Sequence, residues 1–281
     1  MNPALQVDEK PASDTPAGPV MSFEDVHLGF TEADILRGIS FQVAQHETKV
    51  LIGESGSGKT LTMKLGAGLL QPDSGRVLFS GQDLSKLTEV ELFDLRRRIG
   101  FVFQEGALFD SLSVAENVAY RLYEEGQDDD KVEARVNEVL NFVEMGDALD
   151  RMPSDLSGGM RRRVSIARAL ASSPDVVFYD SPTAGLDPVT SQTIIALLLR
   201  LRDTQGVTAL LATHRLQDAF AMANYRFDPQ SSRIVPFTKD QSSRDAGDIK
   251  FLLLKQGRVY FEGTPQAVLD SQDPYLRKFL V

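Results

Sequence analysis

The sequence predicts an α/β protein built on a parallel sheet, and three observations carry that prediction. Short apolar runs of strand length alternate with longer segments of helical period. One run, Lys49–Ile52, leads straight into the glycine-rich loop Gly53-Glu-Ser-Gly-Ser-Gly-Lys-Thr60 and then a helix. Another, DVVFYD over 175–180, ends on a carboxylate, Asp180. Parallel strands need crossover connections, and helices between successive strands supply them.

Residues 1–20 contain four prolines among the first nineteen, mixed with Asp, Ser and Gly, and read as a disordered or extended tail. They lack the basic and apolar regions of a secretory signal. Phe23, Val26 and Leu28, then Ile39, Phe41 and Val43, alternate as two strands. After the glycine-rich loop a helix is expected through about Leu70, stopped by Gln-Pro-Asp-Ser-Gly75. Arg76–Phe79 and Ile99–Phe103 read as strands, the second ending at Gln104. Residues 105–172 read as helical. There Asp130 and Glu133 have the spacing of a capping box, and Val132, Val136, Val139, Leu140 and Val143 form one stripe. A helix is expected from Pro188 to about Asp203, and a strand over Val207–Thr213 ends at His214. Residues 229–248 are polar and broken, an exposed loop or hairpin excursion. No motif recurs, so nothing points to an internal repeat.

Composition narrows the chemistry. With 30 Lys+Arg against 40 Asp+Glu the formal charge is −10, which argues against a protein that wraps nucleic acid. The absence of Cys excludes disulfides, Cys-ligated zinc, iron–sulfur clusters and thiol catalysis, and fits a reducing cytoplasm. Three scattered His make no metal site. The longest aliphatic run, Ile194–Leu199, is far short of the ~20 residues of a membrane span. The Arg runs 96–98 and 161–163 read as solvated helix faces and salt-bridge donors, and the carboxylates of 124–130 as a solvated loop.

The loop at 53–60 fits G-x-x-x-x-G-K-[ST] between a strand and a helix, the setting a phosphate-binding loop requires. Gly53, Glu54, Ser55, Gly56, Ser57 and Gly58 let successive backbone N–H groups curl around phosphate oxygens. The helix from Lys59 through Leu61 points its positive end at them. Lys59 would neutralise β- and γ-phosphate charge, and the Thr60 hydroxyl would ligate Mg²⁺. Asp180, at the carboxyl end of a neighbouring strand, is placed to hold the hydrated metal. Taken alone it would be a strand-end turn residue; beside the loop the metal role takes precedence. In Leu156-Ser-Gly-Gly-Met160, Ser157 can cap the helix that follows, and Gly158 and Gly159 leave its end bare for an anion.

In that order these motifs resemble the ATPase subunit of ATP-binding cassette (ABC) transporters, and the likeness runs from Met21 to about Gly263. It matches Walker A at 53–60, the Q-loop at Gln104, the signature at 156–160, Walker B at 176–180, the D-loop at 184–187 and the switch histidine at His214. The resemblance implies a RecA-like P-loop core with an antiparallel β-subdomain and an inserted α-helical subdomain over about 105–172. It implies an ATP hydrolase using ATP and Mg²⁺, working as a homodimer with two ATP molecules sandwiched between P-loops and the partner's signature. Ser157, Gly158, Gly159 and Met160 would then act in trans. Gln104 would sense Mg²⁺ and couple to a permease, His214 would contact the γ-phosphate, and Asp187 would act across the dimer while capping the helix at Pro188. Phe30 falls where an aromatic stacks on adenine, or else is a core residue.

One position departs from the family. The residue after the Walker B Asp is normally Glu, which polarises water; here it is Ser181. Either hydrolysis is slow and leans on His214 and electrostatics, or another carboxylate serves in the closed dimer. A nucleotide-gated regulatory subunit with little turnover is the alternative.

LSGGM followed by Arg161–Arg163, Phe103-Gln-Glu-Gly-Ala-Leu-Phe109, Val114-x-x-Asn117-Val118 and the ending Asp273-Pro-Tyr-Leu-Arg-Lys-Phe-Leu280 resemble the maintenance-of-lipid-asymmetry type. That likeness implies integral-membrane permease partners, an MCE-domain lipid-binding protein, phospholipid or another hydrophobic cargo, and a place on the cytoplasmic face of an inner membrane. Residues 264–281 would be a dimerisation tail. Signatures ending in Met also occur in osmolyte importers. A soluble repair or translation cassette is disfavoured, since those carry two cassettes or long insertions.

Overall fold

The computed structural model describes residues 18–30, 33–237 and 249–278. Most of the expected tail, 1–17, and residues 238–248 of the expected excursion lie outside them.

The chain begins with a hairpin of β1 (Met21–Phe30) and β2 (Ala33–Val43) and passes into the fully buried β3 (Thr48–Ile52). Next come α1 (Lys59–Gly66), β4 (Ser74–Phe79), β5 (Gln82–Asp83), α2 (Glu89–Arg96) and β6 (Ile99–Val102). Three helices then run consecutively: α3 (Val114–Glu124), α4 (Asp129–Phe142) and α5 (Gly158–Leu170). They lead to β7 (Val176–Asp180), α6 (Pro188–Gln205), β8 (Thr208–Thr213), α7 (Leu216–Asn224) and a small hairpin of β9 (Tyr225–Asp228) and β10 (Arg233–Pro236). The last elements are β11 (Ile249–Lys255), β12 (Arg258–Gly263), α8 (Pro265–Asp270) and α9 (Pro274–Lys278).

The central sheet has the order β12-β11-β3-β8-β7-β6, parallel except where β12 turns back on β11. A second, antiparallel sheet has the order β2-β1-β4-β5. The alternation of strand side chains divides the interior in two. Val50, Ile52, Val177, Tyr179 and Leu211 face one core with α3–α6, whereas Leu51, Val176, Phe178 and Leu210 face the other with α1 and the antiparallel sheet. Both faces of the central sheet are covered, as an all-apolar parallel strand requires.

The chain thus has the fold expected of a P-loop cassette, with several local corrections. The first helix ends at Gly66 rather than near Leu70, because Gly68 takes a left-handed φ of 64°. Residues 105–113 are an irregular loop, and helix starts only at Val114, where Ser113 and Glu116 make a capping box. The box expected at Asp130 and Glu133 is absent: α4 starts at Asp129 with Asp128 as N-cap and no side-chain cap bond. The other box is Thr88 with Glu91, opening α2. The Arg runs act as salt-bridge donors, Arg98 pairing with Asp175 at 2.6 Å and Arg163 with Glu144, but they are not wholly solvated: Arg96 donates to Gly68 O, and Arg162 is only 5% exposed.

Candidate nucleotide site

Four strands of the central sheet, β3, β8, β7 and β6, run parallel, so their carboxyl ends open on one edge. The loop after β3 is bent by left-handed glycines. Gly56 (φ 79°) faces open space, while a Cβ on Gly58 (φ 100°) would lie 2.4 Å from Leu36 Cδ2. Glycine at 58 therefore satisfies both backbone and packing. Lys59 is buried, and its ammonium donates to Gly53 O and Glu54 O, both at 2.9 Å, and to Ser57 Oγ at 3.4 Å. Burial lowers its pKa, and the Asp180 carboxylate opposes that shift. No acidic residue occupies the first turn of α1, so the positive helix end is left for an anion.

The Thr60 hydroxyl donates to Asp180 Oδ2 at 2.8 Å, joining the loop after β3 to the end of β7 across β8. A hydroxyl and a carboxylate oxygen side by side form a hard-oxygen donor pair that suits Mg²⁺, which takes few protein ligands and fills the rest with phosphate and water. Among the described residues no group of three His, Cys, Asp or Glu forms a protein-only metal cage, so the pair fits this shared mode best.

Ser181 is buried in the left-handed region (φ 49°), its N–H bonded to Ala212 O at 2.9 Å and its Oγ 3.5 Å from Asp180 Oδ1. The turn after it is held from below. Thr183 Oγ1 donates to the buried Asp218, and Arg215 donates to Ser191 Oγ at 2.8 Å while its Nε lies 3.7 Å from Asp218. Asp187 is exposed and caps α6, accepting from Thr190 N–H at 3.0 Å; the hydrogen bonding at Thr190 lowers its pKa. His214 is exposed immediately after β8, and Gln104 is exposed after β6.

Ser157 caps α5 by accepting from Met160 N–H at 3.2 Å. Its two glycines are small because the start of α6 is close: a Cβ on Gly159 would be 2.4 Å from Thr190 Cγ2, and one on Gly158 would be 3.2 Å from Leu186 Cδ2. Among the described residues no hydrogen bond joins 157–160 to the phosphate loop. Within one chain the structure therefore brings Lys59, Thr60, Asp180 and Ser181 together, and seats the signature turn against the D-loop instead. Phe30 is 49% exposed at the tip of the β1–β2 hairpin, so it is not a core residue. The described part of the C-terminal tail folds back on its own chain. Tyr275 packs on the core, and burial and then the neighbouring Glu54 carboxylate push its hydroxyl pKa up.

The ABC transporter family model matches residues 36–184, more than half the chain. The chain belongs to that family. Its ATP-binding subunits hydrolyse ATP with Mg²⁺, and the P-loop geometry above carries both groups' ligands. Among curated relatives, the chain is 32% identical to the intermembrane phospholipid transport ATP-binding protein MlaF of Haemophilus influenzae, covering 90% of this chain and 88% of that one. It is 34% identical to the chloroplastic protein trigalactosyldiacylglycerol 3 of Arabidopsis thaliana, covering 91% and 71%. The methionine import ATP-binding protein MetN 1 of Rhodococcus jostii is 43% identical, but the chain spans only 61% of its length. A dimeric ATP-binding cassette bound to ADP and Pi superposes with a TM-score of 0.71 at 28% identity, covering 87% of this chain and 98% of that one. The cbiO1 subunit of Clostridium perfringens gives 0.72 at 27% identity, covering 92% and 94%.

Sequence reasoning missed Arg162 and the Thr183–Asp218–Arg215 cluster. One signal was available for the first. Residues 164–167 are all small or apolar, and three consecutive arginines span about 200° of a helix, so one of them had to share the inward face.

Proposed function

We propose that this chain is the ATP-hydrolysing motor of a transporter that moves phospholipid or a related hydrophobic molecule. The observation that carries the motor reading is the Thr60–Asp180 contact at 2.8 Å, which sets a hydroxyl and a carboxylate beside the phosphate loop. The lipid reading is supported by the near end-to-end match to MlaF, which spans 257 residues, whereas the methionine importers match over about three fifths of their length. A second copy would supply Ser157, Gly158, Gly159 and Met160 to each phosphate loop, with Asp187 crossing the interface; the similar cassette described as dimeric and bound to ADP and Pi supports the pairing of two copies. Among the described residues no helix is long and apolar enough to cross a membrane. Membership of the ABC transporter family and the likeness to MlaF support permease chains as the membrane component, with this subunit docked on their cytoplasmic side and an MCE-type protein as the lipid carrier. Residues 264–281 assist pairing of the two copies. Phe30, exposed at the tip of the β1–β2 hairpin, stacks on adenine, and Gln104 and His214 approach the metal and the γ-phosphate.

Ser181 sets the rate. Its neutral hydroxyl lies against Asp180 and cannot accept a proton as a carboxylate does. Asp218 is engaged by Thr183 and Arg215, and Asp187 by Thr190, so neither is a free base in this structure. Hydrolysis is accordingly slow.

The cargo test is isolation of the native assembly in mild detergent, with mass spectrometry of its proteins and lipids. A multi-span permease with an MCE-type protein and bound phospholipid is the expected result. A permease of methionine or osmolyte type without an MCE partner would overturn the lipid reading.

A further inference from the structure

We infer that Arg162 is a positioning residue for hydrolysis: one buried guanidinium ties the segment before Gln104, the signature helix and the loop before Asp187 into a single unit. Arg162 Nη1 donates to Phe103 O at 2.5 Å and Nη2 reaches Ala184 O at 3.5 Å, while its Nε is buried without a hydrogen-bond partner. Its neighbours behave differently. Arg163 pairs with Glu144, and Arg161 turns back to Leu156 O at 2.6 Å. Among the described residues no carboxylate lies within ion-pair distance of Arg162, so this cation is spent entirely on loop carbonyls. Burying it there is costly unless the contacts do something the fold uses.

The strand register explains the placement. β6 pairs with β7 so that Val102 lies opposite Tyr179, which brings Phe103 beside Asp180 at the same sheet edge. Arg162 enters that edge from α5. Burial lowers its pKa, against the carboxylates of Asp180 and then Glu105, so its charge lies in the field of the metal-binding group. A second strap holds the other end of the loop: Arg168 donates to Gly106 O at 3.0 Å and Ala107 O at 2.8 Å. The segment carrying Gln104 is thereby fixed to α5 at both ends, and Ser157 caps the start of α5. Arg168 joins only loop and helix. Arg162 also reaches the loop that ends in Asp187, so a shift at Gln104 is carried to both groups that meet the second copy.

The test compares Arg162→Gln and Arg162→Lys with the wild type in the full-length chain, rebuilt with its permease. Single-turnover ATP cleavage, fluorescent-ATP binding and MgATP-driven dimerisation by sedimentation are the readouts. A charged hydrogen bond carries roughly a ten- to hundredfold factor. Arg162→Gln should therefore lower kcat at least tenfold and weaken the dimer comparably, with KM for ATP within twofold. Arg162→Lys should recover little, since a single ammonium nitrogen cannot replace two separate nitrogens that reach Phe103 O and Ala184 O on different loops. Gln104→Ala combined with Arg162→Gln should be no slower than Gln104→Ala alone. The inference is overturned if kcat and dimerisation stay within twofold of wild type, or if the two substitutions multiply. It is equally overturned if kcat falls only in step with the fraction of chain that binds nucleotide, or if neither variant binds it, since Arg162 then serves folding alone. The inference rests on the dimeric reading. A wild type that neither dimerises nor cleaves ATP overturns both, whereas a functional wild type with a matching Arg162→Gln overturns the inference only.

Discussion

Gly159→Ala places a methyl group where the structure leaves no room. The new Cβ would sit 2.4 Å from Thr190 Cγ2, about 1 Å inside ordinary carbon contact. Overpacking of this kind costs about 1–3 kcal/mol, and each kcal/mol lowers Tm by about 2–4 °C in a chain of this size. Alanine also favours helix over glycine by up to about 1 kcal/mol, so the net loss falls toward the low end. The signature turn moves off the D-loop while the phosphate loop is untouched. ATP binding should therefore persist and dimer-dependent turnover should drop at least tenfold. Adding Thr190→Ser removes the offending methyl and keeps the backbone N–H that Asp187 accepts. Calorimetry and turnover of the single and double variants provide the assay. The double variant should regain wild-type Tm or exceed it. If Gly159→Ala alone raises Tm, or Thr190→Ser fails to restore it, the steric argument is wrong.

Other predictions follow from the same geometry. Thr60→Val should leave Mg²⁺-free ATP binding intact while lowering Mg²⁺-dependent turnover at least a hundredfold, read from a Mg²⁺ titration of activity. Asn117 is fully buried, donates to Phe109 O, Leu112 O and Ser113 O, and accepts from Phe109 N–H at 2.8 Å. Asn117→Ala should cost about 1–3 kcal/mol in denaturant unfolding, because it removes the partner of several half-buried loop groups at once. Asp273 accepts from the Tyr260 hydroxyl at 2.7 Å, and that bond, with the Leu276 and Tyr275 N–H bonds, holds its carboxyl below the usual range. A depressed carboxyl stabilises above its unfolded value of about 3.9 and loses that contribution as pH falls through the folded value. Amide protection of residues 275–277 should thus be flat from pH 5 to 8 and fall below about pH 4, and Asp273→Asn should remove that acid step.

The sheet and the phosphate loop were legible because their chemistry is local. A strand, a glycine-rich turn and a helix are contiguous in sequence, and the apolar runs at 49–52, 176–180 and 208–213 have no other burial mode. The strands at 249–255 and 258–263 have a local signal too, since KFLLLKQGRVYF is a continuous apolar run, a Gln-Gly turn and an alternating run. The helix at 89–96 was unread, although Thr88 and Glu91 box its start. Asp130 and Glu133 had the right spacing for a cap but lie inside α4, since spacing alone does not fix where a helix begins. What joins the site into one unit was not readable. Arg162 meets Phe103 across 59 positions and Thr183 meets Asp218 across 35, and only the folded sheet edge brings such pairs together.

The rate of hydrolysis turns on the residue after Asp180, and ATP turnover of the wild type against Ser181→Glu, each with its permease, tests that role most directly. A missing general base lowers rate by about 10²–10⁴. Ser181→Glu should raise kcat about a hundredfold or more with KM for ATP nearly unchanged. A wild type that already turns over at about 1 s⁻¹ or faster, and gains nothing from the carboxylate, would contradict it.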